Sequence, residues 1–430
     1  MALSRRTLVT TGIAAASTGA ITAALAPGVR VALNRDAARP PRDILVVVFL
    51  RFGSDGLTLV APADNGEYRD NRPTIAVSSS GGSAGLHIGG LGGVAFFLHP
   101  ELTDMKALYE SGNLAVVHAV GLPTNTRSHF ESQDLMERGV VEKDSLLKTG
   151  PLKGGWLARH LMTRDLGLTG LGAVASAADV QTSLRGFERA VAVPDVTQFN
   201  VIGGDLNLNI IEALNAGPEA HARAVRGTVG MVKSVRESLA KLNAAFTTSQ
   251  NYPAGEFGTA MRSVANLVKM NTGLEVATVD FGGWDHHYNM NTHFPGHARQ
   301  LSQTLGAFWS DMAPYRDRLT VVAMTEFGRR LEENAAGGTD HGAASVMFVL
   351  GGAVRGGEIY GRWPGLRPAD LREGDLRITT DMRQVLQEIL AKRRGETALA
   401  EIFPGLAYEP LGILEERRAG GLKNLFRRGT

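Results

Sequence analysis

The sequence predicts an α/β fold: a doubly wound, mainly parallel sheet with helices on both faces. Three observations carry that prediction. Continuous apolar, β-branched runs at 43–50 (DILVVVFL), 114–120 (LAVVHAV) and 345–350 (SVMFVL) have the character of strands buried on both faces. They alternate with longer stretches whose apolar residues recur at helical spacing, the pattern that covers a parallel sheet on both sides. Several runs end in short turns rich in Gly, Asp, Glu and Ser, and ligands of such sheets bind at the carboxyl ends of the strands.

The chain opens on Ser4-Arg5-Arg6-Thr7-Leu8 and a weakly apolar run to Ala26, which together read as a twin-arginine export signal. Cleavage is expected after Ala26 or nearer Ala38, so residues 1–38 are assigned to signal peptide and linker. This predicts a periplasmic or secreted location, with the twin-arginine export machinery as a partner. Residues 39–414 form one α/β domain in this reading, and 415–430 a basic, solvated tail. The strand at 43–50 ends in the turn Arg51-Phe52-Gly53-Ser54-Asp55-Gly56. Residues 77–94 read as a Gly/Ser-rich loop that lacks phosphate-loop spacing. His99-Pro100 opens a helix to about Ser111, and the strand at 114–120 leads through a loop at 124–130 into a helix ending near Arg138. Helical spacing covers 215–247 and 256–272, a strand follows at 274–280, and 297–312 is an amphipathic helix. Strands at 319–324 and 345–350 and a helix at 381–392 complete the pattern.

Composition removes several function classes. There is no cysteine, which excludes disulfides, a thiol nucleophile, thiolate metal sites and a formylglycine made from cysteine. A formal net charge of +2 and the lack of any nucleic-acid motif argue against a nucleic-acid partner.

The polar residues at the strand ends suggest a divalent metal, which imidazoles and carboxylates together can hold. In Gly282-Gly283-Trp284-Asp285-His286-His287, positions i and i+2 of an extended loop point the same way, so Asp285 and His287 can reach one ion while His286 points elsewhere. Glu326 follows an apolar strand and needs a cation, either a metal or Arg329 or Arg330. Asp340 and His341 lie in a glycine-flanked turn, as ligands or as turn-formers. Asp55 is either a further ligand or a turn residue before Gly56. Ser128 is either a nucleophile beside the ion or the N-cap of the next helix in a capping box with Glu131. Arg127 can neutralise a transferred anion and His129 or His286 can move a proton, while His99 and His118 read as structural.

As a set, these segments resemble the bacterial family named as domain of unknown function 1501. The likeness rests on Gly53-Ser54-Asp55-Gly56-Leu57, Leu98-His99-Pro100, Gly112 to His118, Arg127-Ser128-His129-Phe130 and Gly155-Trp156-Leu157. It continues through Gly283 to His287, Glu326 to Arg330 and Gly338 to Gly342. The family looks like a divergent branch of the alkaline phosphatase and sulfatase superfamily, which implies an alkaline phosphatase-like sheet with one or two divalent metals. The resemblance puts Asp55, Asp285, His287, Glu326 and His341 at metal-ligand positions and Ser128 near the nucleophile's place. The glutamate at 326, the short Asp-x-His gap and the lack of a Ser-x-Pro-x-Arg stretch depart from the superfamily's patterns. They imply one metal site with a weaker second, and argue against a formylglycine sulfatase of either the Cys or the Ser type. Zinc or manganese suits the donor set.

Three functions compete at this point. The first is an exported metal-dependent hydrolase of phosphate, sulfate or related anionic esters, acting on a small-molecule or glycan substrate. The second is a non-catalytic periplasmic binding or assembly protein on the same fold. The third is a hydrolase in which water held by the metal attacks and Ser128 only caps a helix.

Overall fold

A computed structural model describes residues 42–417 apart from Asn125, 143–153, 164–170, 199–203 and 246–249. The twin-arginine segment and the end of the basic tail therefore lie outside the described residues. In chain order the strands are β1 (Ile44–Leu50), β2 (Val60–Ala61), β3 (Leu86–Leu91), β4 (Val94–Leu98), β5 (Leu114–Gly121), β6 (Ala173–Ala175) and β7 (Val191–Ala192). They continue with β8 (Val276–Phe281), β9 (Leu319–Met324), β10 (Arg329–Glu333), β11 (Thr339–His341), β12 (Ser345–Gly351), β13 (Ile359–Tyr360) and β14 (Thr380–Asp381).

Among the described residues nine strands form the main sheet, in the order β13-β5-β12-β9-β1-β8-β6-β7, with β14 also paired to β5. The fold is a mixed α/β sheet, as the alternation predicts. β1 lies between β8 and β9, parallel to both, and is buried throughout. Its residues alternate between two cores, because successive side chains of a strand point to opposite faces. Ile44, Val46, Val48 and Leu50 pack on one side with the helices Glu256–Lys269 and Met290–Asp311. Leu45, Val47 and Phe49 pack on the other with His129–Arg138, Trp156–Thr163 and Met382–Arg394. Helices therefore cover both faces, which is why the strand runs read as apolar without alternation.

β12 alone runs against its neighbours, antiparallel to both β9 and β5. The segment between β9 and β12 holds only the β10–β11 hairpin, and a parallel return needs a crossover long enough to bring the chain back to the starting edge. This reversal matters for the site. The carboxyl ends of β1, β5, β8 and β9 share one edge of the sheet with the amino end of β12. The turns at 51–56, 122–128, 282–287 and 325–328 therefore meet the β11 segment at that edge.

Two expected boundaries differ. Residues 77–94 are not simply a loop: β3 and the start of β4 lie within them, as an antiparallel hairpin. Gly92 and Gly93, with φ of 61° and 81°, supply the two left-handed residues that a tight hairpin turn needs. The helix expected from His297 begins at Met290 and contains Pro295, and the helix expected from His99 begins at Thr103. No helix among the described residues is long and apolar enough to cross a membrane.

Candidate metal centre

Four side chains from three segments of the chain converge at the carboxyl edge: His129, Asp285, His287 and His341, with one ligand atom from each within 4.8 Å of the others. Asp285 stands at the middle of the group. Its Oδ1 lies 3.2 Å from His129 Nε2, 3.0 Å from His287 Nε2 and 3.5 Å from His341 Nε2. The Nε2 atoms of His287 and His341 are 2.9 Å apart.

Each imidazole turns its other nitrogen outward to a separate acceptor. His129 Nδ1 meets Glu326 Oε1 at 2.9 Å, His287 Nδ1 meets Asp340 Oδ1 at 3.3 Å, and His341 Nδ1 meets the Arg127 carbonyl at 2.8 Å. A carbonyl or carboxylate can only accept, so these contacts place the hydrogen on Nδ1 in the neutral rings and leave the Nε2 lone pairs facing the group. This is the arrangement in which histidine binds a metal. Two such lone pairs at 2.9 Å repel each other unless a proton or cation lies between them. Four N and O donors bonded tetrahedrally at about 2.0–2.1 Å would sit about 3.3 Å from one another. Four of the six separations, at 2.9–3.5 Å, bracket that value, and all six lie within 4.8 Å. The group thus fits one ion.

Local folding explains how each piece arrives. Trp284 is fully buried and anchors the turn after β8. His286 also turns inward, its Nδ1 bonded to the Trp284 carbonyl at 3.1 Å, and burial lowers its pKa to about 4. Asp285 and His287 accordingly share the outer side, as the i, i+2 spacing predicts. Gly338 lets the β10–β11 hairpin press onto the backbone of His286 and His287, since a Cβ there would sit 2.3 Å from the His287 carbonyl carbon. That contact brings Asp340 and His341 beside His287. His129 is the first residue of the helix His129–Arg138 and stacks on Phe327, whose ring also faces His341.

Glu326 is buried and lies behind His129. Besides His129 it accepts from Gln133 Nε2 at 2.8 Å and from the Phe52 N–H at 2.9 Å. Burial alone would raise its carboxyl, but hydrogen bonds from His129 and Gln133 outweigh that and hold it below the usual range. Its cation partner is neither Arg329 nor Arg330. Arg329, fully buried, turns instead to Asp285 Oδ1 at 2.7 Å, and it also donates to the carbonyls of Phe52, Gly53, Trp284 and Thr339. It thereby joins the turn after β1, the turn after β8 and β11. For Asp285, burial pushes the carboxyl up, but the Arg329 guanidinium dominates and holds it at about 2.

Asp55 lies outside the group of four. Its carboxylate takes two contacts from the buried Arg72, at 2.7 and 3.2 Å, and caps the helix Gly56–Leu59 through the N–H groups of Leu57 and Thr58. Asp340 is exposed, and hydrogen bonding from Asn334, then from His287, lowers its pKa. Ser128 stands at the N-cap position, but its hydroxyl makes no cap bond, so the capping box with Glu131 is not formed. Thr126 Oγ1 takes over: it accepts from Ser128 N at 3.2 Å and donates to Glu131 at 2.8 Å. The Ser128 side chain is exposed, next in sequence to His129. The Arg127 guanidinium pairs with Asp375 at 2.6 Å and Glu373 at 3.4 Å, lining a cleft of about 230 Å³. His99 and His118 are buried and held at about 4 by burial, and His118 Nε2 bonds the Val60 carbonyl at 2.9 Å.

Sequence reasoning named His129 for proton transfer and overlooked Arg72 and Gln133. One signal for His129 was available: it follows β5 at the same sheet edge as Glu326, the buried carboxylate that lacked a cation.

The chain belongs to the family described as "Protein of unknown function (DUF1501)", whose model matches residues 43–392. No curated protein matches it. Among solved structures it is similar to a protein in the alkaline phosphatase superfamily from Vibrio parahaemolyticus, at 10% identity and a TM-score of 0.32, covering 81% of this chain and 69% of that one. It is also similar to the PsFucS1 sulfatase from Pseudoalteromonas sp., at 9% identity and a TM-score of 0.35, covering 79% and 70%. A magnesium-bound mutant of TAB5 alkaline phosphatase matches at 9% identity and a TM-score of 0.28, covering 73% and 91%. At these TM-scores the likenesses carry no weight for the site or its chemistry.

Proposed function

We propose that the protein is an exported, metal-dependent hydrolase of anionic esters, of phosphate, sulfate or a related group. One observation carries the reading: three imidazoles with outward-bonded Nδ1 atoms aim their Nε2 lone pairs at one carboxylate oxygen. His129, Asp285, His287 and His341 would hold the ion, with Glu326, Asp340 and the Arg127 carbonyl orienting the rings. Asp55 has no part in this centre, since Arg72 and a helix cap occupy its carboxylate. Four N and O donors at tetrahedral spacing favour zinc, with manganese second.

The ion would supply fixed positive charge beside the ester's anionic oxygens. Arg329 adds a second, permanent positive charge at Asp285. Ser128 offers an exposed hydroxyl that makes no cap bond, next to a metal-holding residue, and serves as nucleophile in this reading. Its oxygen bonds to phosphorus or sulfur as the bond to the ester's alcohol breaks, with the serine proton passing to water and the departing oxygen taking one from water; a water molecule then breaks the bond to serine and returns its proton. His129 is committed to the ion and is therefore not the proton shuttle. Ser4-Arg5-Arg6 and the weakly apolar run to Ala26 support export by the twin-arginine route to a periplasmic or secreted location.

Metal analysis of the mature protein tests the centre, followed by a panel of phosphate and sulfate esters with the ion present and removed. One equivalent of zinc and ester turnover that is lost on chelation and restored by zinc are expected. A protein that binds no divalent ion would sink the reading. Export is tested separately: Arg5→Lys with Arg6→Lys should leave a precursor in the cytoplasm.

A further inference from the structure

Phe52 is held where a bulky side chain is rarely tolerated. Its φ of 81° lies in the left-handed region, which glycine enters freely and a bulky residue only under strain. Such strain persists only where the surroundings over-determine it, and it gathers at functional sites. Here buried charges of the site clamp both backbone groups. The Phe52 N–H donates to Glu326 Oε1 at 2.9 Å and Oε2 at 3.2 Å, and the carbonyl accepts from Arg329 at 2.7 Å. Glycine at position 52 would make the same backbone bonds without strain, as Gly53 does beside it with φ of 67°. What phenylalanine adds is its ring.

That ring stands edge-on to the His129 imidazole, with centroids 5.4 Å apart, and a Cβ at Gly282 would lie 4.0 Å from its Cε2. It therefore bridges the first residue of the helix His129–Arg138 and the turn after β8, the segments that supply His129 and Asp285 to the group of four. The ring is half-buried and joins none of the three buried apolar clusters among the described residues. Core packing does not account for it. Phe327 also packs on His129 but is itself buried, so of these two rings Phe52 is the one open to a ligand. The Asp285 and His287 side chains keep 42% and 35% of their surface, so the group of four has an open side. An anion reaching an ion from that side leaves its organic part outside the donor set, where an apolar ring beside His129 can meet it.

We infer that Phe52 is a specificity-determining residue whose ring packs against the apolar face of the group that the ester links to its anion. The inference rests on the hydrolase reading only in calling the ligand an ester. A ring that merely kept water from His129 would act on metal affinity and leave ligand choice untouched.

The test uses phenylphosphonate and methylphosphonate, in which a C–P bond replaces the ester bond, so that binding is read without turnover. Calorimetry on the zinc-loaded mature protein should show phenylphosphonate binding about tenfold tighter, the gain expected from covering one face of a ring. Phe52→Gly and Phe52→Ala should both lose that preference, with methylphosphonate and zinc affinities close to those of the parent protein. Melting separates backbone from ring. Phe52→Gly should melt about 1–2 °C above Phe52→Ala, because alanine alone keeps a Cβ in the left-handed conformation. Binding of neither phosphonate, equal affinity for the two, a preference kept by the folded variants, or zinc affinity that falls with the ring would overturn the inference. Zinc binding and phosphonate discrimination with no turnover of any ester would sink the hydrolase reading and leave the role of the ring standing.

Discussion

Asp55 and Asp285 occupy equivalent places in the sheet and end in different chemistry. Each follows a glycine-containing turn at the carboxyl end of one of two paired parallel strands, β1 and β8. Each has an arginine with no side-chain exposure at 2.7 Å. The difference lies in what remains of the carboxylate. Asp55 is 1% exposed, and both its oxygens are taken by Arg72, two helix N–H groups and the Thr58 hydroxyl. The Asp285 side chain keeps 42% of its surface and faces three imidazoles. A carboxylate at a strand end is thus only a potential ligand; its unspent acceptor sites decide.

Substitutions separate the two. The largest change in stability is expected for Asp55→Ala, which leaves Arg72 charged and buried without its partner and costs about 3–5 kcal/mol. Urea melts would read this, and the fraction that folds should bind metal as before. Asp285→Ala should cost less, because Arg329 keeps its bonds to four backbone carbonyls. Its metal content, measured on folded protein, should fall to background. If Asp55→Ala lost its metal while Asp285→Ala kept it, the two roles would be exchanged. Glu326→Gln retains shape but removes the charge behind His129, so zinc affinity by competition with a chelator should fall about 10–100-fold with little change in melting. Smallest in stability is Ser128→Ala. An N-cap serine usually contributes about 1 kcal/mol, but this hydroxyl makes no cap bond, so the melt should not move. Turnover should nevertheless vanish with metal content intact. Full turnover in that variant would assign the attack to water.

Legibility of the fold followed burial. β1, β5, β9 and β12 could be read from sequence because both faces of each strand meet a core, and hydrophobicity then needs no partner to interpret it. The hairpin of β3 and β4 was obscured because glycine, so common in loops, here supplies the tight turn and part of a partly exposed strand. At the site, the Asp285-x-His287 spacing was readable because i, i+2 geometry is local. The partners of Glu326 were not, because His129 lies 197 residues away in sequence. The choice of Arg329 for Asp285 over Glu326 depends on which turns the hairpin β10–β11 brings together. The capping box at Ser128 failed for a local reason that the motif omits: Thr126 competes for Glu131.

The amino-acid sequence by itself determined the class of fold, the sheet edge at which polar residues collect, and the kinds of donor found there. Those properties follow from hydrophobic runs, turn residues and side-chain chemistry, each expressed within a few residues. Tertiary structure decided the reversed direction of β12, the use of Asp55 to hold Arg72, and the entry of His129 into the group of four. A ligand set is a matter of distances between remote turns and of which lone pairs other partners have already taken, and only the packed sheet edge fixes both.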